Sequence, residues 1–251
     1  MTDTCPVALV TGAAHRLGAR TAQTLHARGW NLVIHYRSRQ DQAETLAADL
    51  NQTRADSARI VQADLTDTAQ VRALADAAIN QWGRLDGLVN NASVFYPNPT
   101  DEATADDWDR IMHTNLRAPF FLLQACLPAL RADGGSVVNL IDIYSKQPLA
   151  DHPLYCASKA GLAALTRSWA RDLAPAIRVN GVSPGAILWP EAEHGVAGMA
   201  PEYQQAILDK TPLARTGTPD DIARTIAFLM CDAPFITGQI LPVDGGRSLG
   251  I

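Results

Sequence analysis

The sequence predicts an α/β protein built on one doubly wound parallel sheet of seven strands, with helices on both faces. Two observations support this prediction: short apolar segments alternate with amphipathic segments along all 251 residues, and no linker interrupts them. Continuous apolar runs such as residues 6–11 are typical of strands buried on both faces. The predicted strands span residues 6–11, 30–36, 59–62, 85–89, 136–141, 178–182 and 239–243.

Amphipathic segments with helical periodicity fill the intervals between these strands. Pro119 separates two of them, and because proline has no backbone N–H we expect a break or a kink of the helix there. The stretch 183–212 is rich in proline and glycine, and we expect a long irregular insertion with one weak helix. The predicted helices span residues 17–28, 41–51, 65–82, 106–117, 120–131, 155–173, 202–209 and 220–230.

Composition argues against several classes of function. The chain is 47% hydrophobic, enough for a packed core, and its net charge of −5 without a basic run argues against a nucleic-acid partner. The four cysteines lack zinc-ligand spacing, so we expect reduced thiols and no metal site. The first residues lack an apolar signal segment, and no apolar run reaches membrane-spanning length. We therefore expect a cytoplasmic protein with no membrane partner.

A glycine-containing turn joins the first strand to the first helix. Gly12 would permit the tight turn, and Gly18 would permit close packing of the helix on the strand. The helix N-terminus then presents unpaired N–H groups and the positive end of its dipole. The turn lacks the G-x-G-x-x-G spacing, but its position after the first strand predicts a binding site for a pyrophosphate.

Tyr155 and Lys159 are four residues apart in a predicted helix, so their side chains share one face. A nearby ammonium favours the phenolate, and we expect Lys159 to lower the pKa of Tyr155. Tyr155 would then act as a general acid near neutral pH. Cys156 is adjacent to Tyr155 and points elsewhere on the helix, which argues against a catalytic thiol.

These motifs resemble those of the short-chain dehydrogenase/reductase family. The turn is similar to the family's T-G-x-x-x-G-x-G motif, with Arg16 in place of the middle glycine. The resemblance covers essentially the whole chain and implies one Rossmann-like NADP-binding domain over residues 1–251, with a substrate lid inserted at about 186–212. The further matching segments are Asp64-Leu65, Asn90-Asn91-Ala92, Asn115, Tyr155-x-x-x-Lys159, Ser183-Pro184-Gly185, Phe235-Ile236-Thr237-Gly238-Gln239 and Val243-Asp244-Gly245-Gly246.

The end of the second strand indicates which nicotinamide cofactor is used. An acidic residue there would bind the adenosine ribose and repel a 2′-phosphate. Residues 35–40 contain no carboxylate, and the next one along the chain is Asp41. Arg37 and Ser38 are suited to a phosphate dianion, so we expect NADPH; a merely solvated basic loop is the alternative interpretation. Arg16 would lie over the pyrophosphate.

The resemblance also implies roles for individual residues. Lys159 would hold the nicotinamide ribose and Asn115 would position a water-linked proton path, which gives a catalytic set of Asn115, Asp142, Tyr155 and Lys159. The implied cofactor contacts are Gly12, His15, Arg16, Leu17, His35, Tyr36, Arg37, Ser38, Asp64, Leu65, Asn91, Ala92, Ser93, Leu140, Tyr155, Lys159, Pro184 and Gly185.

Asp142 departs from the family pattern, which has a serine thirteen residues before the tyrosine. A carboxylate suits N–H-bearing heterocycles better than a ketone oxygen. The combination of Asp142 with Arg16 and Phe95 resembles that of the pteridine reductase branch of the family. This resemblance implies a dihydropterin or dihydrofolate substrate. Phe95 would stack on the pterin, and Trp189 would either cover the pocket or serve as a hydrophobic anchor. The implied substrate contacts are Arg16, Ser93, Phe95, Asp142, Tyr155 and Trp189.

Two other functions are compatible with the same motifs. A ketone or 3-oxoacyl reductase of this family is disfavoured by Asp142 and Arg16. An NADPH-binding regulatory protein without turnover would have no use for the set of Asn115, Tyr155 and Lys159.

The resemblance further implies a homotetramer. Its subunits would pair through the helices over 120–131 and 155–173 and through the last strand. Apolar Leu162, Ala163 and Leu165 on the second of these helices fit that arrangement.

Overall fold

The computed structural model describes residues 5–189 and 200–250, in which seven strands form one sheet in the order β3-β2-β1-β4-β5-β6-β7. All six neighbouring pairs run parallel. This arrangement confirms the predicted doubly wound α/β fold. The strands are β1 (Val7–Val10), β2 (Asn31–Tyr36), β3 (Ala58–Gln62), β4 (Gly87–Asn90), β5 (Ser136–Leu140), β6 (Arg178–Pro184) and β7 (Ile240–Val243).

Helices connect the strands throughout the described ranges. Two short 3-10 turns (Ile143–Ser145 and Arg247–Leu249) and two π-helical segments (His113–Arg117 and Phe228–Asp232) accompany them. The α-helices are α1 (Arg16–Ala27), α2 (Gln40–Thr53), α3 (Thr68–Asn80), α4 (Ala105–Met112), α5 (Ala118–Ala132), α6 (Pro153–Asp172), α7 (Pro201–Asp209) and α8 (Pro219–Ala227).

The helix does not break at Pro119, and the departure from α-helical winding lies just before it, in the π-helical segment His113–Arg117. Arg117 and Ala118 keep right-handed helical dihedrals, with φ of −67° and −61°. Helical backbone therefore continues from α4 through the π-helical segment His113–Arg117 into α5. Pro119 lies in the first turn of α5, and the wider π-helical winding before it accommodates a residue that cannot donate a backbone hydrogen bond.

Both faces of the sheet are buried, because alternate strand residues point to opposite sides. On one face, Val7 and Leu9 pack with side chains from α3, α5 and α6. On the other face, Ala8 and Val10 pack with side chains from α1, α2 and α8. Two helical layers thus cover the sheet, and β1 is buried at all four positions, which is why it reads as a continuous apolar run.

The strand order reverses between β1 and β4, the point where an open parallel sheet forms a crevice at the carboxyl ends of its strands. The turn after β1, the loop after β4 and the segment after β5 all leave the sheet at this edge. The motifs around Gly12, Asn91 and Asp142 therefore meet at one place, although they are spread along the chain.

Part of the predicted lid lies outside the described residues, namely 190–199. The weak helix expected over 202–209 is present as α7 (Pro201–Asp209). No helix among the described residues is long and apolar enough to cross a membrane.

Two of the three apolar residues expected on the subunit-pairing surface are buried within this chain. Leu162 and Ala163 are 1% and 6% exposed and belong to the core of this chain, so they do not present an outer face. Leu165 is half-buried. Phe120 lies on α5, the other helix expected to pair subunits, and its aromatic side chain is 38% exposed.

Candidate active site

The turn after β1 brings two glycines together. Gly12 has a φ of +60°, a left-handed conformation that other residues rarely adopt. A Cβ on Gly18 would lie 2.2 Å from the Gly12 carbonyl oxygen, so no larger residue fits at the start of α1. Arg16 also has a positive φ, of 52°, at the position where the family motif has its middle glycine.

His35, near the end of β2, supports this turn from below. Its Nδ1 accepts the Gly12 N–H at 3.0 Å, and its Nε2 lies 3.1 Å from the Ala63 carbonyl oxygen. A neutral ring with its proton on Nε2 satisfies both contacts, and burial lowers the pKa of His35 to about 4. Because both nitrogens are engaged and the residue is 2% exposed, His35 shapes the turn and leaves no ring nitrogen for a cofactor.

Asn91, in the loop after β4, joins that loop to the turn. Its Nδ2 donates to the carbonyl oxygens of Thr11 and Gly12 at 2.8 and 3.0 Å. The Thr11 hydroxyl in turn accepts the backbone N–H groups of Asn91 and Ala92, each at 3.0 Å. The two loops that bound the crevice are thus held in one fixed arrangement.

The crevice between these loops has a volume of about 500 Å³. Four predicted cofactor contacts, Leu140, Lys159, Pro184 and Gly185, lie outside its lining. The predicted contacts that do line it are Gly12, His15, Arg16, Leu17, His35, Tyr36, Arg37, Ser38, Asp64, Leu65, Asn91, Ala92, Ser93 and Tyr155.

Arg37 and Ser38 are exposed at the rim that follows β2. Across the crevice, Asp64 accepts the backbone N–H and the hydroxyl of Thr66 at 2.9 and 2.8 Å. The Thr66 N–H is the main cause of a lowered pKa of Asp64, and the Arg37 charge adds to it. This end of the crevice therefore combines a guanidinium and a hydroxyl with a carboxylate that stays ionised.

Lys159 extends from α6 toward the end of β5. Its Nζ donates to the Leu140 carbonyl oxygen at 2.8 Å and lies 5.7 Å from the centroid of the Tyr155 ring. Burial lowers the pKa of Lys159 to about 8, against the opposing effect of the Asp142 charge. The ammonium is thus fixed below the tyrosine, as expected for two residues four apart on one helix.

Tyr155 donates its hydroxyl hydrogen to Asp142 Oδ2 at 2.7 Å. Burial, followed by the Asp142 charge and this hydrogen bond, raises the pKa of Tyr155 well above its ordinary value. The prediction that Lys159 lowers this pKa is therefore wrong, because a buried phenol beside a carboxylate outweighs one ammonium. Burial also raises the pKa of Asp142, so the two groups form an acid pair.

Asn115, in the π-helical segment, uses its whole side-chain amide for structure. Its Oδ1 accepts the Val94 N–H at 2.8 Å and the Ser93 hydroxyl at 3.2 Å. Its Nδ2 donates to the Val94 carbonyl oxygen at 3.0 Å and to the Ser158 hydroxyl at 3.2 Å. The side chain thus links the loop after β4 to the catalytic helix, and only main-chain groups of Asn115 are left for the expected water path.

Phe95 stands beside the acid pair. Its ring meets the edge of Tyr155 at a centroid distance of 4.8 Å, and it stacks on His152 at 4.6 Å with an interplanar angle of 14°. His152 therefore covers one face of the aromatic ring that was predicted to stack on substrate. Asn98 fixes this pair, since its Oδ1 accepts the Leu154 N–H at 3.2 Å at the start of α6.

Trp189 reaches the site through its backbone. Arg16 Nη2 donates to the Trp189 carbonyl oxygen at 3.1 Å, which ties the phosphate-binding turn to the segment that leads into the predicted lid. Pro184 ends β6, and a Cβ on Gly185 would lie 2.7 Å from Asp244 Cβ, so this connection is closely packed.

Several residues of the site carry no signal that the sequence alone would reveal. His152 and Asn98 belong to no motif, although the position of His152 three residues before Tyr155 on α6 is a usable hint. Thr114 lines the crevice with a buried hydroxyl that has no hydrogen-bond partner within residues 5–189 and 200–250. Tyr144 and Arg247 meet next to Asp142 from distant parts of the chain.

Within residues 5–189 and 200–250, no group of three or more histidine, cysteine or acidic side chains is placed to hold a metal ion. The four cysteines are free thiols, as predicted.

Comparisons with known proteins agree with this geometry. A family model described as enoyl-(acyl carrier protein) reductase matches residues 12–248. Pteridine reductase 1 from Leishmania tarentolae is 38% identical, over 98% of this chain and 97% of its own length. The chain belongs to the short-chain dehydrogenase/reductase family.

Other members of the short-chain dehydrogenase/reductase family match nearly as well. The 3-oxoacyl-[acyl-carrier-protein] reductase FabG from Staphylococcus aureus is 36% identical, over 95% of this chain and 96% of its own length. The crystal structure of a blue fluorescent protein from a metagenomic library, in complex with NADPH, has a TM-score of 0.88 and 36% identity, covering 96% and 97% of the two chains. The family is thus established, while identity alone does not separate pterin from 3-oxoacyl substrates.

Proposed function

We propose that this protein is an NADPH-dependent pteridine reductase that converts a dihydropterin to a tetrahydropterin. The observation that carries the proposal is the 2.7 Å hydrogen bond from the Tyr155 hydroxyl to Asp142 Oδ2. Reduction of a ketone and of a C=N bond both require a proton, which the phenol can supply in either case. The substrates differ in their own donors, because a pterin ring carries N–H groups that a carboxylate can accept, whereas a ketone oxygen only accepts hydrogen bonds. A paired phenol and carboxyl group therefore suits the pterin better.

The described residues fit NADPH. The turn at Gly12 and Gly18 has no room for a Cβ and presents the N-terminus of α1, as a pyrophosphate requires. Arg37 and Ser38 at the rim suit the 2′-phosphate. Bound NADPH would supply the hydride.

The proton would come from Tyr155. Its raised pKa keeps the phenol protonated across neutral pH, so it remains a donor. Asp142 would return a proton to the phenolate, because burial raises its own pKa. Lys159, whose Nζ lies 5.7 Å from the Tyr155 ring centroid, would stabilise the negative charge that appears on the phenolate.

Phe95 would hold the flat substrate. With His152 stacked on one side and Tyr155 at its edge, the ring has one orientation and is still 43% exposed. Offset stacking of a pterin on such a fixed ring would place it beside the acid pair. The Leishmania tarentolae relative named pteridine reductase 1 supports this assignment.

Reduction of a 3-oxoacyl substrate is the second candidate. The Staphylococcus aureus relative named 3-oxoacyl-[acyl-carrier-protein] reductase favours it at 36% identity. Asp142 weighs against it, because this carboxyl group stands where the family pattern has a serine hydroxyl for the substrate carbonyl.

The deciding experiment is NADPH oxidation by the purified protein with dihydrobiopterin, dihydrofolate or a simple 3-oxoacyl thioester. NADH replaces NADPH as one control, and an antifolate is added as the other. We expect turnover of a pterin that the antifolate suppresses and that NADH supports poorly. Turnover of the thioester alone would overturn the pterin assignment while leaving the roles of Tyr155 and Lys159 intact.

A further inference from the structure

The segment after β7 brings a cation next to the acid pair. Arg247 begins the 3-10 turn Arg247–Leu249, and its Nη2 donates to the Tyr144 hydroxyl oxygen at 3.1 Å. The carbon of its guanidinium group lies 5.7 Å from the centroid of the Tyr144 ring. Two contacts of different kinds, a hydrogen bond and a cation–π interaction, therefore attach Arg247 to one side chain.

Tyr144 continues this connection to Asp142. Its backbone N–H donates to Asp142 Oδ1 at 2.9 Å, while Asp142 Oδ2 accepts the Tyr155 hydroxyl at 2.7 Å. Each oxygen of the carboxyl group is thus held by one tyrosine residue. The position of Tyr144 fixes the carboxyl plane, and the position of Arg247 fixes Tyr144.

The segment that carries Arg247 is itself anchored. Asp244 accepts the backbone N–H groups of Gly246 and Ser248 at 2.9 and 2.8 Å. Gln147, which follows Tyr144 by three residues, donates from Nε2 to the Ser248 carbonyl oxygen at 3.0 Å. Arg247 is therefore held from both sides, and its contact with Tyr144 does not depend on a single surface hydrogen bond.

The charged and titratable groups that face Asp142 come from three elements. Lys159 and Tyr155 come from α6, Tyr144 from the segment after β5, and Arg247 from the segment after β7. Burial raises the pKa of Asp142, while the hydrogen bonds and the charges of Lys159 and Arg247 oppose that effect. Among these groups, Arg247 is the cation that lies outside the Tyr155/Lys159 motif.

We propose that Arg247 is a positioning residue that acts through Tyr144 on Asp142, and that its positive charge favours the ionised form of this carboxyl group. The C-terminal segment is then part of the proton-supplying site of its own chain. This inference rests on the proposed function only for the step in which the proton passes to the substrate. The effect of Arg247 on Asp142 is independent of the substrate.

The test is a pH titration of the Asp142 carboxyl group in the full-length protein saturated with NADP⁺. Infrared difference spectroscopy follows the C=O stretch of the protonated acid, which is assigned as the band that Asp142→Asn removes. The variants are Arg247→Gln, Arg247→Lys and Tyr144→Phe. Arg72→Gln serves as the matched control, because it removes one positive charge from an exposed position on α3.

We expect Arg247→Gln to shift this titration to higher pH, because a positive charge that favours the carboxylate has been removed. At a pH above the wild-type midpoint, the protonated fraction should then be about threefold to tenfold larger. Arg247→Lys and Arg72→Gln should titrate close to wild type. Tyr144→Phe should shift the titration in the same direction by less, since Arg247 loses its hydrogen bond while its charge remains.

Three results would overturn the proposal: an unshifted titration in Arg247→Gln, an equal shift in Arg247→Lys, or an equal shift in Arg72→Gln. An unshifted Tyr144→Phe would overturn the part assigned to Tyr144. Because no substrate is present, these results do not depend on whether a pterin is turned over. If Arg247→Gln fails to fold, Tyr144→Phe and Arg247→Lys still decide between a connected and an unconnected Arg247.

Discussion

Asp142 is the residue whose surroundings say most about substrate choice. Both of its oxygens accept hydrogen bonds, from the Tyr144 N–H and the Tyr155 hydroxyl. The nearby Lys159 charge acts to lower the pKa of Asp142. A serine at this position would donate one hydrogen bond to a carbonyl oxygen but could not return a proton to the phenolate. The chemistry available at the site therefore changes with one side chain.

The first prediction separates the two members of the acid pair. Tyr155→Phe should lower turnover by about 10²–10⁴-fold, because the proton donor is lost, while NADPH affinity changes little. Asp142→Ser should lower the rate with a dihydropterin more than the rate with a 3-oxoacyl thioester. Steady-state kinetics with both substrates and a fluorescence titration with NADPH measure these effects. Equal losses with both substrates would contradict the role given to Asp142.

The second prediction concerns His152, which stacks on Phe95 at a centroid distance of 4.6 Å. His152→Ala should raise KM for the pterin by about threefold to tenfold with kcat nearly unchanged, since the ring that receives the substrate loses its fixed orientation. His113→Ala, at a partly exposed histidine that contacts Arg117, is the matched control. A fall in kcat with constant KM would show that His152 acts on the proton path instead.

At the level of elements, the turn after β1 shows what the sequence could and could not predict. Gly12 and Gly18 were recognisable because only glycine meets the geometric demands of such a turn. The hydrogen bond from Gly12 to His35 could not be recognised in the sequence, because it depends on the register between β1 and β2. This register pairs Val10 with Ile34 and brings the His35 ring under Gly12. Motifs consist of the residues that ligand binding requires at fixed spacing, whereas the contacts that support them depend on how the elements pack.

The third prediction follows from the lowered pKa of His35, about 4. The unfolded chain binds a proton near pH 6.5 and the folded chain does not, so this site makes the protein less stable as pH falls from 6.5 toward 4. The loss at pH 4.5 relative to pH 7 should be about 2 to 3 kcal/mol.

His35→Asn is the variant that tests this, because its amide oxygen can still accept the Gly12 N–H but cannot titrate. Urea unfolding of both proteins at pH 7 and pH 4.5 gives the comparison. The variant should lose less stability between the two pH values, whatever its stability at pH 7. An equal loss in both proteins would mean that His35 is protonated in the folded state.

At the scale of the whole molecule, the sheet explains why the site could be predicted only in part. The alternation of apolar and amphipathic segments was sufficient for the doubly wound parallel sheet, because parallel strands joined by helices have few permitted arrangements. Contacts such as Arg16 with Trp189 and Arg247 with Tyr144 join residues 173 and 103 positions apart. No local pattern specifies such pairs, so they appear only once the fold is known.

The homotetramer expected from the family remains a prediction, and the structure changes which residues should form it. Phe120 is 38% exposed and packs on the half-buried Phe121 and the buried Trp169, at centroid distances of 5.3 and 6.0 Å. An exposed aromatic side chain supported in this way on α5 is the kind of group that association buries. Leu162 and Ala163 lie beneath it in the core.

The fourth prediction is that Phe120→Glu dissociates the assembly, because two buried carboxylates would face each other across each two-fold interface. Sedimentation velocity should show a tetramer for wild type and smaller species for the variant. Tyr203→Glu, at a 67% exposed aromatic residue on α7, is the matched control and should remain tetrameric. If Phe120→Glu remains tetrameric, the interface lies elsewhere. If the wild type is a monomer, Phe120 stays exposed to solvent in the active enzyme, and the family arrangement does not apply.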